Sequence, residues 1–172
     1  MMTLNNLKNE KIATVKATTM VEAIPLSLEE LMAFKAPNPW DEGAYTVKLD
    51  KVVITRFDNG LPKQFTFTFV DSEGKTHTNK HSYPTSAHKP NYPQAFCITM
   101  GILCDNLELD RNTLFQTDFE QQLQSRIGHE VHIVATSKLM DDGNYKVFAE
   151  YATKQQVIER LSQATMADLS RI

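Results

Sequence analysis

The chain has 172 residues and carries 18 Lys+Arg against 21 Asp+Glu, a net charge of -3. This length suits one domain of ordinary size with arms, and it is enough for a real hydrophobic core. The charge balance excludes a histone-like or wholly basic binder, yet it fixes only the sum and leaves local basic surfaces open. No apolar run approaches the roughly 20 residues that a membrane helix needs. Met1 to Val21 is polar and lacks an apolar core, so no secretory signal is read there. Cys97 and Cys104 fall about two turns apart in one expected helix, too far for a disulfide. A reduced, intracellular compartment is therefore expected, the cytoplasm.

Met1 to Met20 is rich in Asn, Thr and Lys with little periodicity, and reads as disordered or as a peripheral strand. Ser27 with Glu30 forms a capping box for a short helix, with Leu28, Leu31 and Met32 as its stripe. Pro37 and Pro39 end it. Residues 1–40 are thus an arm. Ala44 to Thr55 reads as a strand, with Tyr45, Val47, Leu49 and Val53 at period two. Asp58-Asn59-Gly60 is a turn, and Gln64 to Asp71 alternates Phe65, Phe67 and Phe69 with Thr66 and Thr68. After a second turn at Asp71-Ser72-Glu73-Gly74, Lys75 to Ser82 is polar on both faces, as an edge or ligand-facing strand would be.

The period then changes to helical. Tyr92 to Cys104 carries Pro93 in its first turn and Phe96, Met100 and Leu103 on one side. A second helix is expected from Thr117, boxed by Glu120 and closed by Gly128, with Phe119, Leu123 and Ile127 as its stripe. Glu130 to Ser137 and Tyr145 to Ala152 are strands joined through Asp141-Asp142-Gly143-Asn144. A terminal helix follows Thr153, boxed by Gln156, with Val157, Leu161 and Ala164 in line. Three strands, a helical insertion, two strands and a helix match a mainly β (β+α) fold. The expected form is a five-stranded OB-like Greek-key barrel over residues 41–152 with a C-terminal helix at 153–172. A five-stranded open sheet with helices on one face is the rival.

Catalytic signatures are absent: no phosphate-cradling glycine loop, no nucleophile elbow, no His-Glu-x-x-His helix. No enzymatic role, cofactor, metal or small-molecule substrate is expected. His77 and His81 share a strand face, but four residues span about 13 Å in a strand, too far for one ion. With His88 they read as exposed histidines, and the cysteines as small core thiols.

Charge segregation is the most informative feature. Gly74 to Cys104 holds no Asp or Glu, but contains Lys75, Lys80, Lys89, three histidines, Tyr83 and Tyr92. Asp105, Glu108, Asp110, Asp118 and Glu120 crowd just after it. Lysines with interleaved rings suit single-stranded nucleic acid, because ammonium groups follow phosphates and rings stack on any base. The expected contacts are Lys75, His77, Lys80, Tyr83, Lys89 and Tyr92. Lys48, Arg56, Lys138 and Lys146 complete a basic rim. The alternative is that Tyr83 and Tyr92 anchor a loop bearing Pro84, Pro90 and Pro93. The phenylalanine stripe either faces the core, leaving Thr66 and Thr68 beside a ligand, or is itself a stacking platform. Trp40 is expected to plug a barrel end.

The openings Glu42-Gly43-Ala44-Tyr45-Thr46-Val47, Phe65-Thr66-Phe67-Thr68-Phe69 and Ile127-Gly128-His129-Glu130-Val131 carry a family likeness. Over Asp41 to Ala152 the chain resembles the small phage-encoded OB-fold proteins of replication and recombination modules that bind single-stranded DNA. The resemblance implies intracellular action, sequence-tolerant strand coating, a homo-oligomer and no fixed catalytic residue. RNA is the alternative strand. The chain departs from the pattern at Ala167-Asp168-Leu169-Ser170-Arg171-Ile172, which is not acidic, so recruitment through an acidic tail is not expected. Two rivals stand beside this reading. One is a phage or mobile-element protein that binds a host protein through the acidic segment or the terminal helix. The other is a hydrolase using the clustered histidines.

Overall fold

The computed structural model describes residues 24–33 and 36–170, and the expectations for Met1 to Met20 lie outside them. The chain divides into two units, Met1–Ala36 and Pro37–Ile172. In the first, α1 spans Leu28–Ala33. Its capping box forms as the sequence implies: Glu30 N donates to Ser27 Oγ at 3.1 Å, and Ser27 N donates to Glu30 Oε2 at 2.8 Å. Leu28 and Leu31 are exposed.

The second unit is built on five antiparallel strands: β1 (Gly43–Arg56), β2 (Pro62–Val70), β3 (Thr76–Ser82), β4 (Glu130–Leu139) and β5 (Tyr145–Ala152). They lie in the order β3-β2-β1-β4-β5. Between β3 and β4 come α2 (Tyr92–Asn106), a 3₁₀ turn (Arg111–Phe115) and α3 (Phe119–Gln124), and α4 (Lys154–Ser170) follows β5. The ladder ends at β3 and β5, which do not pair with each other. The expected barrel is therefore not closed by main-chain hydrogen bonds. Pro37 to Trp40, expected in the arm, belong to this unit, where Asn38 N donates to Thr76 O at 2.8 Å.

One core joins the sheet to the helices. Phe65, Phe67 and Phe69 are 2%, 0% and 0% exposed, so the stripe faces inward and is not a stacking platform. They meet Val47, Leu49, Val131 and Ile133 from the sheet, Phe96, Met100 and Leu103 from α2, and Phe119 and Leu123 from α3. Each fully buried large side chain contributes about 1.5–3 kcal/mol by leaving water.

Three local readings change. The inward series on β1 runs Val47, Leu49, Val52, and Val53 faces out. A bulge is the cause: Leu49 pairs with Phe69 but Lys51 pairs with Thr68, so Asp50 is an extra residue and the phase flips. The helix expected from Thr117 begins at Phe119 without a side-chain cap, because Glu120 turns to Arg56 instead of closing a box. The 3₁₀ turn before it is capped by Asp110, whose carboxylate accepts from Asn112 N at 2.8 Å. On α4 the box does form, with Gln156 N donating to Thr153 Oγ1 at 3.1 Å. Val157 is buried, whereas Leu161 and Ala164 are exposed. No helix among the described residues is long and apolar enough to cross a membrane.

Candidate nucleic-acid interface

The unpaired edges of β3 and β5 face an open groove of about 600 Å³. Trp40, Asn79, Lys80 and His81 line one side, Lys146 and Phe148 the other, and no Asp or Glu lines it. Alternation places these groups. On β3, the odd residues point into the core, with His77 and Asn79 buried, so Lys80 points out. On β5, Tyr151 is buried while Lys146 and Phe148 stand on the other face. The Lys138 and Lys146 ammonium groups lie 5.2 Å and 5.4 Å from the centre of the Phe148 ring. The two lysines are opposite one another in the β4–β5 register, which is why one ring receives both.

The floor of the groove is a polar network that spans the two edges. Trp40 Nε1 donates to Asn79 Oδ1 at 2.7 Å. His81 Nε2 and the Tyr151 hydroxyl are 2.7 Å apart, and that hydroxyl also lies beside Asn79. Asn79 Nδ2 makes no hydrogen bond of good geometry. Burial holds the His81 pKa down at about 4 and pushes the Tyr151 phenol up. The network is therefore neutral at physiological pH, and the cations of the site stay on its rim. Trp40 stands in the wall of the groove, its ring stacked on His77 with centroids 4.2 Å apart.

The structure brings Lys80, Lys138 and Lys146 to the groove and its rim, and separates the other expected contacts. His77 is buried and cannot reach a ligand: its Nε2 meets Asp71 Oδ2 at 2.7 Å and its Nδ1 meets the Asn38 carbonyl at 3.1 Å. That hydrogen bond from His77 is the main reason the Asp71 carboxyl titrates below its ordinary value. The reading of exposed histidines fails at this position, because a His flanked by two acceptors can enter a core. Tyr92 anchors the proline-bearing loop, donating to Ser82 O at 2.6 Å, with His88 stacked on its face. Burial raises its phenol pKa. Tyr83 packs edge-on against Phe96 and is 37% exposed. Lys75 pairs with Glu73 at 3.0 Å, which raises its pKa, and Arg56 pairs with Glu120. Lys48 and Lys89 are exposed away from the groove lining.

Phe148, which lines the groove, and Tyr145 were not among the expected contacts. Tyr145 is 74% exposed at the tip of the β4–β5 hairpin. The signal was present in Tyr145-Lys146-Val147-Phe148, where a ring and a lysine share the polar face of an alternating strand. Among the described residues, no group of three or more His, Cys, Asp or Glu is placed to hold a metal ion. No protein-family model matches the chain, and no curated protein matches it in sequence.

Proposed function

We propose that the chain is a non-enzymatic protein that binds single-stranded DNA with little sequence preference, in a phage-type replication or recombination module. The observation that carries this reading is the acid-free groove between β3 and β5, with ammonium groups at Lys80 and Lys146 and the Phe148 ring between Lys138 and Lys146. Lysines on the rim neutralise phosphates, and a ring at the wall stacks on bases for about 1–3 kcal/mol each. The strand order, with helices between the third and fourth strands, supports an OB-type barrel with a seam between β3 and β5. Cys97 and Cys104 are unpaired, which fits the reducing cytoplasm of a bacterial host.

Fluorescence anisotropy with labelled oligo-dT tests the proposal, with an oligo-U arm to rank DNA against RNA. Binding at micromolar protein that weakens as salt rises is expected. No binding to either strand at low salt would sink it.

A second reading, association with protein, is favoured by one observation. Ile158, Leu161 and Met166 share the outer side of α4 and are 47%, 53% and 71% exposed. Self-association through this face would make the homo-oligomer that strand coating uses. Light scattering of wild type and Leu161→Glu reads self-association, and a host-lysate pull-down with and without nuclease reads a partner. Recovery that depends on nucleic acid counts against direct protein binding.

A further inference from the structure

The groove has a property that its side chains do not reveal. The ladder fixes which main-chain groups of β3 are spent. Tyr83 N donates to Lys63 O, and Asp71 N donates to Lys75 O. Both are directly opposed pairs in the β2–β3 register, so the pairs that exchange hydrogen bonds are Phe65 with His81, Phe67 with Asn79 and Phe69 with His77. The N–H and C=O groups of Thr76, Thr78, Lys80 and Ser82 therefore point away from β2. Thr76 O is taken by Asn38 N, and Ser82 O by the Tyr92 hydroxyl. Thr78 and Lys80, between them, face the groove with no hydrogen-bond partner among the described residues.

The same reasoning applies to β5. Met140 N donates to Asn144 O, so Lys138 exchanges bonds with Lys146, Thr136 with Phe148 and Val134 with Glu150. The main-chain groups of Val147 and Ala149 then face the groove from the other side. Each of these four residues offers one donor and one acceptor.

We infer that the main-chain groups of Thr78, Lys80, Val147 and Ala149 read the Watson–Crick edges of unpaired bases, so that the groove selects single strands whose base edges are free. This rests on the single-strand reading above and names what that site recognises. Every base edge mixes donors and acceptors, and a peptide group supplies both without a side chain to prefer one base. The contact is therefore tolerant of sequence. A duplex has its Watson–Crick edges consumed by pairing and presents only its groove edges, set back between two phosphate backbones. A polypeptide strand could ladder onto the same edges. The lysines on the rim and the ring between two ammonium groups favour a ligand of phosphates and bases instead.

The test changes the ligand and leaves the protein intact. Oligo-dT is compared with an oligonucleotide of equal length built on difluorotoluene, which keeps the phosphates and the shape of thymine but lacks its hydrogen-bonding edge. Loss of two hydrogen bonds should weaken binding by roughly tenfold or more. Equal affinity for both would overturn the inference and leave binding by stacking and phosphate contact standing. Binding of neither would remove the single-strand reading itself, and the inference with it.

Discussion

At the seam, His81 is neutral because burial makes its charged form expensive. Its pKa is held at about 4, against 6.5 for a free imidazole. The unfolded chain takes up this proton as pH falls through the ordinary value, and the native chain only near the lower one. The stability that neutral His81 provides is therefore complete above pH 6.5 and is lost toward pH 4, by about 3 kcal/mol over the window. Urea unfolding at pH 7 and pH 5 should show wild type losing roughly 2 kcal/mol more than His81→Gln. Equal losses would refute the burial argument. Asp71 acts in a separate window. The His77 hydrogen bond lowers its pKa from 3.8, so its contribution is present above that value and disappears only in stronger acid.

Between elements, the Asn106 carboxamide is the join that binds α2 to the sheet. It accepts from His132 N at 2.9 Å and donates to Ala152 O at 3.0 Å, at the rung where β4 and β5 begin to part. Asn106→Ala leaves a donor and an acceptor unpaired in a half-buried place, so a loss of about 2–3 kcal/mol in urea unfolding is expected. Asn106→Asp should recover part of it by accepting from His132 N. The strands and α2 were legible because period two and Pro93 are local signals, whereas the face taken by the phenylalanine stripe was open until the helices were seen to cover it. Val53 was misassigned because a bulge is visible only when Leu49 and Lys51 are seen against their partners on β2. The stripe on α4 was legible as a pattern. That Val157 alone among Val157, Leu161 and Ala164 would be buried depends on how far the sheet extends beneath the helix.

Across the whole molecule, the arrangement of charge matters more than its sum. Arg56 pairs with Glu120 and Lys75 with Glu73 away from the groove, and Lys138 on its rim pairs with Glu150 at 3.7 Å, whereas Lys80 and Lys146 meet no carboxylate among the described residues. If the groove holds the strand, Lys80→Ala and Lys146→Ala should each lower the slope of log affinity against log salt by roughly 0.7, while Arg56→Ala leaves it nearly unchanged. Anisotropy at several salt concentrations decides this, and an equal effect of all three would place the strand elsewhere. Half of the site was legible. The acid-free run Gly74 to Cys104 contains β3 and Lys80. Lys146 was also named, as part of a basic rim, but Phe148 beside it was not, and only the strand order brings that hairpin, some 65 residues later, opposite β3.

The one-sided bonding of β3 also sets how its amides trade protons with solvent. Those of His77, Asn79 and His81 are locked to β2, while those of Thr78 and Lys80 open sideways. Along this strand, deuterium should enter every second residue quickly and its neighbours slowly. On β5 the fast positions are Val147 and Ala149. Residue-resolved exchange would thus show the two strands in opposite parity, a signature that closure of the seam by any ladder would erase.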